Sequence, residues 1–265
     1  MTLFDEDAGA SDTPSRDAPS RCKLVVAYDG TEFRGFATQP DVRTVEGVLT
    51  DSLEKVLRHP PAGFTCAGRT DAGVHAWGQV VTFDADPADT APDRLQAALN
   101  RMLAPEVVVR SAEIVEPDFD ARQSARWRTY TYAVVNRPVP DPFLARYAWW
   151  VPDPIDLSAL RLGADPFVGE HDFAAFCRKG PEGSTTARRV LASRWRVAES
   201  GILRYEVTAT AFCWQMVRSM VGTLVDVGTG KIRPGDLLGI IRSRDRAAAG
   251  RLAPPQGLCL WEVGY

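Results

Sequence analysis

Apolar positions along this chain alternate between stretches with a period near two and stretches with a period near 3.6, the marks of strands and helices. Cys22 to Tyr28 reads as a strand that stops at the turn pair Asp29-Gly30. Thr44 precedes Val45, Val48, Leu49, Leu53, Val56 and Leu57, which share one helix face. Thr44 suits the N-cap and His59-Pro60-Pro61 ends that helix. Val74 to Phe83 predicts a strand with Trp77, Gln79, Val81 and Phe83 on one face. A second helix opens at Pro92 and turns Leu95, Leu99, Met102 and Leu103 inward, and Val107 to Val115 forms another strand.

The second half follows a similar element order without detectable self-similarity. Arg128 to Val135 predicts a strand with Arg128, Tyr130, Tyr132 and Val134 on one face. Strands near Val190–Val197 and Leu203–Ala209 follow, then a helix from about Trp214 to Val227 that buries Met216, Val217, Met220, Val221 and Leu224. Asp236 suits the cap of a helix carrying Leu237, Leu238, Ile240 and Ile241, and Gly257 to Val263 reads as a closing strand. Strands interleaved with isolated helices predict the α+β class: two lobes of largely antiparallel sheet, helices packed on one face, and a cleft between the lobes. Glu116-Pro117-Asp118 marks the boundary, giving an N-terminal lobe over 21–117 and a C-terminal lobe over 118–265, after an acidic tail at 1–20 expected to be disordered.

At 265 residues, 45% apolar and 25% charged, the composition is ordinarily globular. No apolar run approaches the roughly 18–20 residues a bilayer crossing needs. The start lacks the basic and apolar regions of a secretory signal, and five scattered cysteines read as reduced thiols of a cytoplasmic protein. Residues 1–20 hold five acids and one base, so the net charge of −3 hides a nearly balanced body. The bases are 27 Arg and only four Lys. Arginine-rich surfaces suit phosphates and bases, and coding bias in a GC-rich genome gives the same composition. Three histidines without a cysteine cluster make no zinc site. Gly228-Thr229-Gly230-Lys231 lacks the upstream glycine and the following hydroxyl of a phosphate loop, and neither a G-x-S-x-G elbow nor a dinucleotide fingerprint is present. Metal and cofactor chemistry is therefore not expected.

The densest polar segment is Ala67-Gly68-Arg69-Thr70-Asp71-Ala72-Gly73-Val74-His75-Ala76. Glycines on either side permit unusual backbone angles and close approach of a ligand. An Asp in such a turn often does no more than bond its own backbone. Here Arg69 flanks Asp71, and a nearby cation favours the anion, which can attack carbon without a metal. Arg218, on a helix among Met216, Val217, Met220 and Val221, is expected to meet a buried partner carboxylate, for which Asp71 is the natural candidate, or else to snorkel off the helix to the surface.

This segment closely resembles the signature of the tRNA pseudouridine synthase A family, and the similarity runs from about Cys22 to Tyr265. Supporting it are Tyr28-Asp29-Gly30-Thr31 with Gly35-Phe36, Arg122 to Tyr132, Gly169 to Phe173, Phe212 to Gly222 and Pro255 to Tyr265. Phe36 stands where the family commonly has Trp, and Trp214-Gln215 where it often has His. The resemblance implies an isomerase that converts uridine to pseudouridine at positions 38, 39 and 40 of the tRNA anticodon stem-loop, as a homodimer and without a cofactor. It implies Asp71 as the catalytic nucleophile, with attack at uracil C6 and at ribose C1′ both open. Tyr130 is then the tyrosine against the extruded base, Arg69 assists extrusion, and Arg218 is the arginine of the third motif. Candidate phosphate contacts are Arg122, Arg126, Arg128, Arg178, Lys179, Arg188, Arg189, Arg242, Arg244 and Arg246. A non-catalytic RNA-binding module and a hydrolase using Asp71 as general acid remain the competing readings.

Overall fold

The strands expected from the alternating pattern form, and they join edge to edge. The computed structural model describes residues 20–86, 91–178, 180, 183–198 and 201–265. The acidic tail up to residue 19 and Lys179 lie outside the described residues. In chain order the elements are β1 (Ser20–Tyr28), α1 (Val45–Leu57), β2 (Thr65–Cys66), β3 (His75–Ala85), α2 (Pro92–Leu103), β4 (Val107–Val115), β5 (Trp127–Asn136), β6 (Trp149–Val151), α3 (Leu157–Ala164), β7 (Gly169–Asp172), β8 (Ala187–Val197), β9 (Leu203–Ala209), α4 (Met216–Gly228), α5 (Leu237–Ser243) and β10 (Leu258–Gly264). The class is α+β.

One sheet runs in the order β4-β1-β3-β10-β5-β9-β8-β7, with β2 added to β3 and β6 to β5. Its ladders are antiparallel except β3–β10 and β5–β6. The sheets of the two halves meet where Cys259 pairs with His75 and Leu260 with Ala76. A single apolar cluster lies between one face of this sheet and the helices: Leu24, Val26, Tyr132, Tyr205 and Leu260 from strands meet Leu49, Leu99, Leu160, Met220 and Ile241 from α1 to α5. Alternation explains the division, because Leu24 and Val26 face the helices while Val25 joins a small cluster on the other side with Val80, Ala121 and Tyr265.

The helix boundaries mostly follow local chemistry. The Thr44 side chain accepts the Gly47 N–H at 3.2 Å, and α1 ends on Arg58 in the left-handed region ahead of the two prolines. Asp236 forms no cap bond: the chain reaches α5 through a tight turn at Pro234–Asp236, so Asp236 is already helical rather than extended. Met102, expected inward, is 45% exposed. Gln96 and Asn100 donate to the Val109 carbonyl, which turns α2 toward β4 on its polar side and carries Met102 away. Trp77 is also displaced. The β1–β3 register shifts between Val26↔Gln79 and Tyr28↔Ala76, so a bulge at Trp77-Gly78 sends Trp77 to the helix-free face. There it stacks on Trp261.

Candidate active site

The 67–74 segment links β2 to β3 and is fixed from several sides. Gln79, buried on β3, donates to the Gly68 carbonyl at 2.6 Å. The Tyr28 and Thr70 hydroxyls share a buried hydrogen bond at 2.7 Å, and the Thr70 carbonyl accepts from the Phe36 N–H at 3.0 Å. Gly73 N–H reaches the Phe33 carbonyl, so the turn after β1 cradles the segment. Gly30 has to be glycine there, because a Cβ would stand 2.0 Å from the Val74 carbonyl oxygen. The Gly30 N–H donates to His75 Nδ1, and His75 Nε2 faces the Arg146 carbonyl at 2.9 Å. This scaffold sets the position of Asp71 in the loop just ahead of β3.

The other half of the site comes from α4 and the residues before it. Arg218 Nη1 stands 3.4 Å from Asp71 Oδ2, and its Nε donates to the Ala253 carbonyl at 2.8 Å. Ala253 N–H returns a bond to the Arg218 carbonyl at 3.1 Å, made possible by Gly222 one turn along, whose Cβ would lie 1.7 Å from the Arg251 carbonyl oxygen. The helix begins at Met216 rather than Trp214 because Gln215 adopts a left-handed conformation with φ 64°. That bend frees Trp214 from the helix, and its indole Nε1 donates to Asp71 Oδ1 at 2.9 Å. Both carboxylate oxygens of Asp71 are thus engaged.

Tyr130, on β5, presents its hydroxyl toward Gly68, 3.8 Å from where a Cβ would be, and its ring packs edge-on to Phe212 at 5.0 Å. The hydroxyl makes no hydrogen bond to another described residue. Burial, only partly offset by the Arg128 charge, pushes the phenol well above its ordinary pKa, and the Asp71 charge adds to the rise. Burial also pushes the nearby Cys66 thiol up to about 11, which keeps it protonated at neutral pH.

Asp71, Arg218 and Tyr130 are therefore brought together, and Arg69 stands apart. The guanidinium that reaches Asp71 belongs to Arg218, whereas Arg69 is exposed beside the loop. Arg128 is not a free cation, since its nitrogens donate to the carbonyls of Ala67, Arg122, Ala125 and Thr210. It ties the 67–74 loop to the end of β9. Arg244 pairs with Asp172 at 3.0 Å, and Arg178 lies over the Trp214 ring at 4.2 Å. Arg122 and Arg126 are exposed. Sequence reasoning missed Trp214 as a partner of Asp71 and Tyr28, Gln79 and His75 as supports. A tryptophan two residues before a helix start, four before Arg218, was the available signal. Among the described residues, no group of three or more His, Cys, Asp or Glu is arranged around a common metal position.

A carboxylate held by a guanidinium and an indole N–H is a group able to attack carbon without a metal. The sequence profile described as tRNA pseudouridine synthase matches residues 24–122 and 164–265, and the chain belongs to that family. It is similar to tRNA pseudouridine synthase A of Leifsonia xyli subsp. xyli, 43% identical over 94% of this chain and 93% of the relative. The corresponding enzyme of Brevibacillus brevis is 40% identical, and that of Pseudothermotoga lettingae 38%, each over 92% of this chain and 99% of the relative.

Proposed function

We propose that this isomerase converts uridine to pseudouridine at positions 38, 39 and 40 of the tRNA anticodon stem-loop, with Asp71 as nucleophile and no cofactor. The observation that carries the reading is the Asp71 carboxylate held between Arg218 and Trp214 opposite Tyr130. In the reaction the N1–C1′ bond breaks and a C5–C1′ bond forms. The C5 proton leaves and N1 gains one, so product and substrate have the same composition and no oxidant or reductant is needed. Asp71 forms a transient bond with the nucleoside that lets the uracil detach and turn. Arg218 keeps the carboxylate paired before attack and after its release. Tyr130 offers a ring edge and an unshared hydroxyl to the extruded base. Arg69, exposed two residues ahead of Asp71, fills the stack the base has left.

The lobes over 21–117 and 118–265 form the two walls of the cleft, the first supplying Asp71 and the second Tyr130 and Arg218. Exposed arginines at the mouth hold the RNA backbone, so affinity falls steeply with salt. A homodimer is part of this reading, and the exposed Trp77 and Trp261, stacked at 6.0 Å on the helix-free face with Arg110 4.1 Å over Trp77, are a surface that a second copy could cover. No helix among the described residues is long and apolar enough to cross a membrane. A tRNA substrate supports a cytoplasmic location for this reading.

The test is tritium release from tRNA labelled at uracil C5. Wild type releases tritium and Asp71→Asn does not. Undiminished release by the variant removes Asp71 from the mechanism, and wild-type tRNA binding without release leaves only an RNA-binding module.

A further inference from the structure

Trp214 donates the shorter of the two side-chain contacts to the Asp71 carboxylate, 2.9 Å from indole Nε1 against 3.4 Å from Arg218. A carboxylate on one χ2 axis swings freely unless both oxygens are held, and an N–H aimed at one oxygen fixes the plane of the other. The indole is itself held. Its backbone carbonyl accepts the Arg178 N–H at 3.0 Å, and the Arg178 guanidinium lies 4.2 Å over the ring. Gln215, in the left-handed region, breaks the helix immediately after Trp214 and turns the ring toward the nucleophile. A side chain 48% exposed contributes little to the core, so packing alone does not account for this arrangement.

On the reading of Asp71 as nucleophile, we infer that Trp214 is a positioning residue: its indole N–H pins Asp71 Oδ1 and leaves Oδ2 as the oxygen that attacks the nucleoside. Oδ2 is the more loosely held of the two, and a lone pair spent on a long contact is the easier one to redirect toward carbon. The pin serves the return step as well. When the transient bond to the nucleoside breaks, the electron pair goes back to Asp71, and the indole N–H is already placed to receive the restored charge. Arg178 acts one step further out, as the weight that keeps the ring in place.

The experiment compares wild type, Trp214→Phe and Trp214→His. Phenylalanine keeps an aromatic ring and has no donor. Imidazole carries Nε2 at the five-membered-ring position that indole Nε1 occupies, so histidine restores the donor with less ring area. Single-turnover tritium release from C5-labelled tRNA reads the chemical step, filter binding reads tRNA affinity, and thermal melting checks the fold. We expect Trp214→Phe to slow the chemical step about tenfold, the worth of one hydrogen bond to a charged group, with tRNA affinity within about twofold. Trp214→His should recover most of that loss. A Trp214→Phe enzyme that reacts at the wild-type rate overturns the inference. So does one whose affinity falls as much as its rate, or one that histidine does not rescue while melting as wild type does. Failure of wild type itself to release tritium strikes instead at the proposed function.

Discussion

The hydroxyls of Tyr28 and Thr70 lie 2.7 Å apart in the protein interior, one residue before Asp71, the proposed nucleophile. Tyr28 ends β1 and Thr70 belongs to the loop leading into β3, so this bond fixes the turn that carries Asp71 to the sheet. Tyr28→Phe keeps the ring and strands the Thr70 hydroxyl, at a cost of about 1–2 kcal/mol. The expected result is a lower melting temperature and a slower tritium release at unchanged tRNA affinity. Equal rates with wild type would show that the loop needs no such tether.

Arg218 serves two partners, Asp71 through Nη1 and the Ala253 carbonyl through Nε. Arg218→Ala removes the donor to Asp71 Oδ2 and to the Ala253 carbonyl, leaving Asp71 only the Trp214 indole, and should lower the single-turnover rate on the order of 100-fold, with a much smaller change in tRNA binding. Arg218→Lys supplies the charge without the forked geometry and should recover only part of the rate.

Gly222 stands where α4 meets the 251–253 segment. A methyl group there would lie 1.7 Å from the Arg251 carbonyl oxygen, and the obstacle is backbone rather than a flexible side chain. Gly222→Ala should cost at least about 1–3 kcal/mol in an unfolding titration. Activity should fall further than stability alone explains, because the displaced segment carries the carbonyl that holds Arg218.

Asp172 gives a pH-dependent contribution whose sign is fixed by its surroundings. The Thr186 hydroxyl is the main influence holding its carboxyl below the ordinary 3.8; burial opposes it, and the Ala174 N–H and Arg244 add to the lowering. The unfolded chain protonates this group first as acid is added. The stabilisation is therefore whole above 3.8 and disappears as pH falls through the depressed folded value. Denaturant unfolding should show Asp172→Asn less stable than wild type at neutral pH, with the gap closing in acid.

Tyr130 stays protonated throughout the assay range, since burial pushes its phenol far above the ordinary value. Tyr130→Phe should change the rate without moving the alkaline side of the pH–rate profile. An alkaline limb present in wild type and absent in the variant would contradict this.

Much of the fold was legible in the sequence because alternation and helical spacing act locally. The two-residue period of Leu203, Tyr205, Val207 and Ala209 and the cap at Thr44 each needed only near neighbours to be read. The Asp71–Arg218 contact was legible for a different reason, since a guanidinium on an apolar helix demands a counter-charge. What escaped were backbone departures. Trp77 was assigned the wrong face because a bulge changes parity at one residue, and Trp214 was placed inside α4 because nothing in Trp-Gln-Met announces a left-handed glutamine. Arg128 looked like a phosphate ligand until four carbonyls were found around it, and carbonyl positions belong to the tertiary structure.

The parallel seam between β3 and β10 joins residues 75–76 to residues 259–260. Pairings so remote along the chain form late and slowly. Until that seam closes, one half carries a carboxylate lacking its guanidinium and the other a guanidinium lacking its carboxylate. On the proposed mechanism, a newly made molecule whose halves have not yet docked lacks the paired site, and reactivity arrives together with the finished sheet.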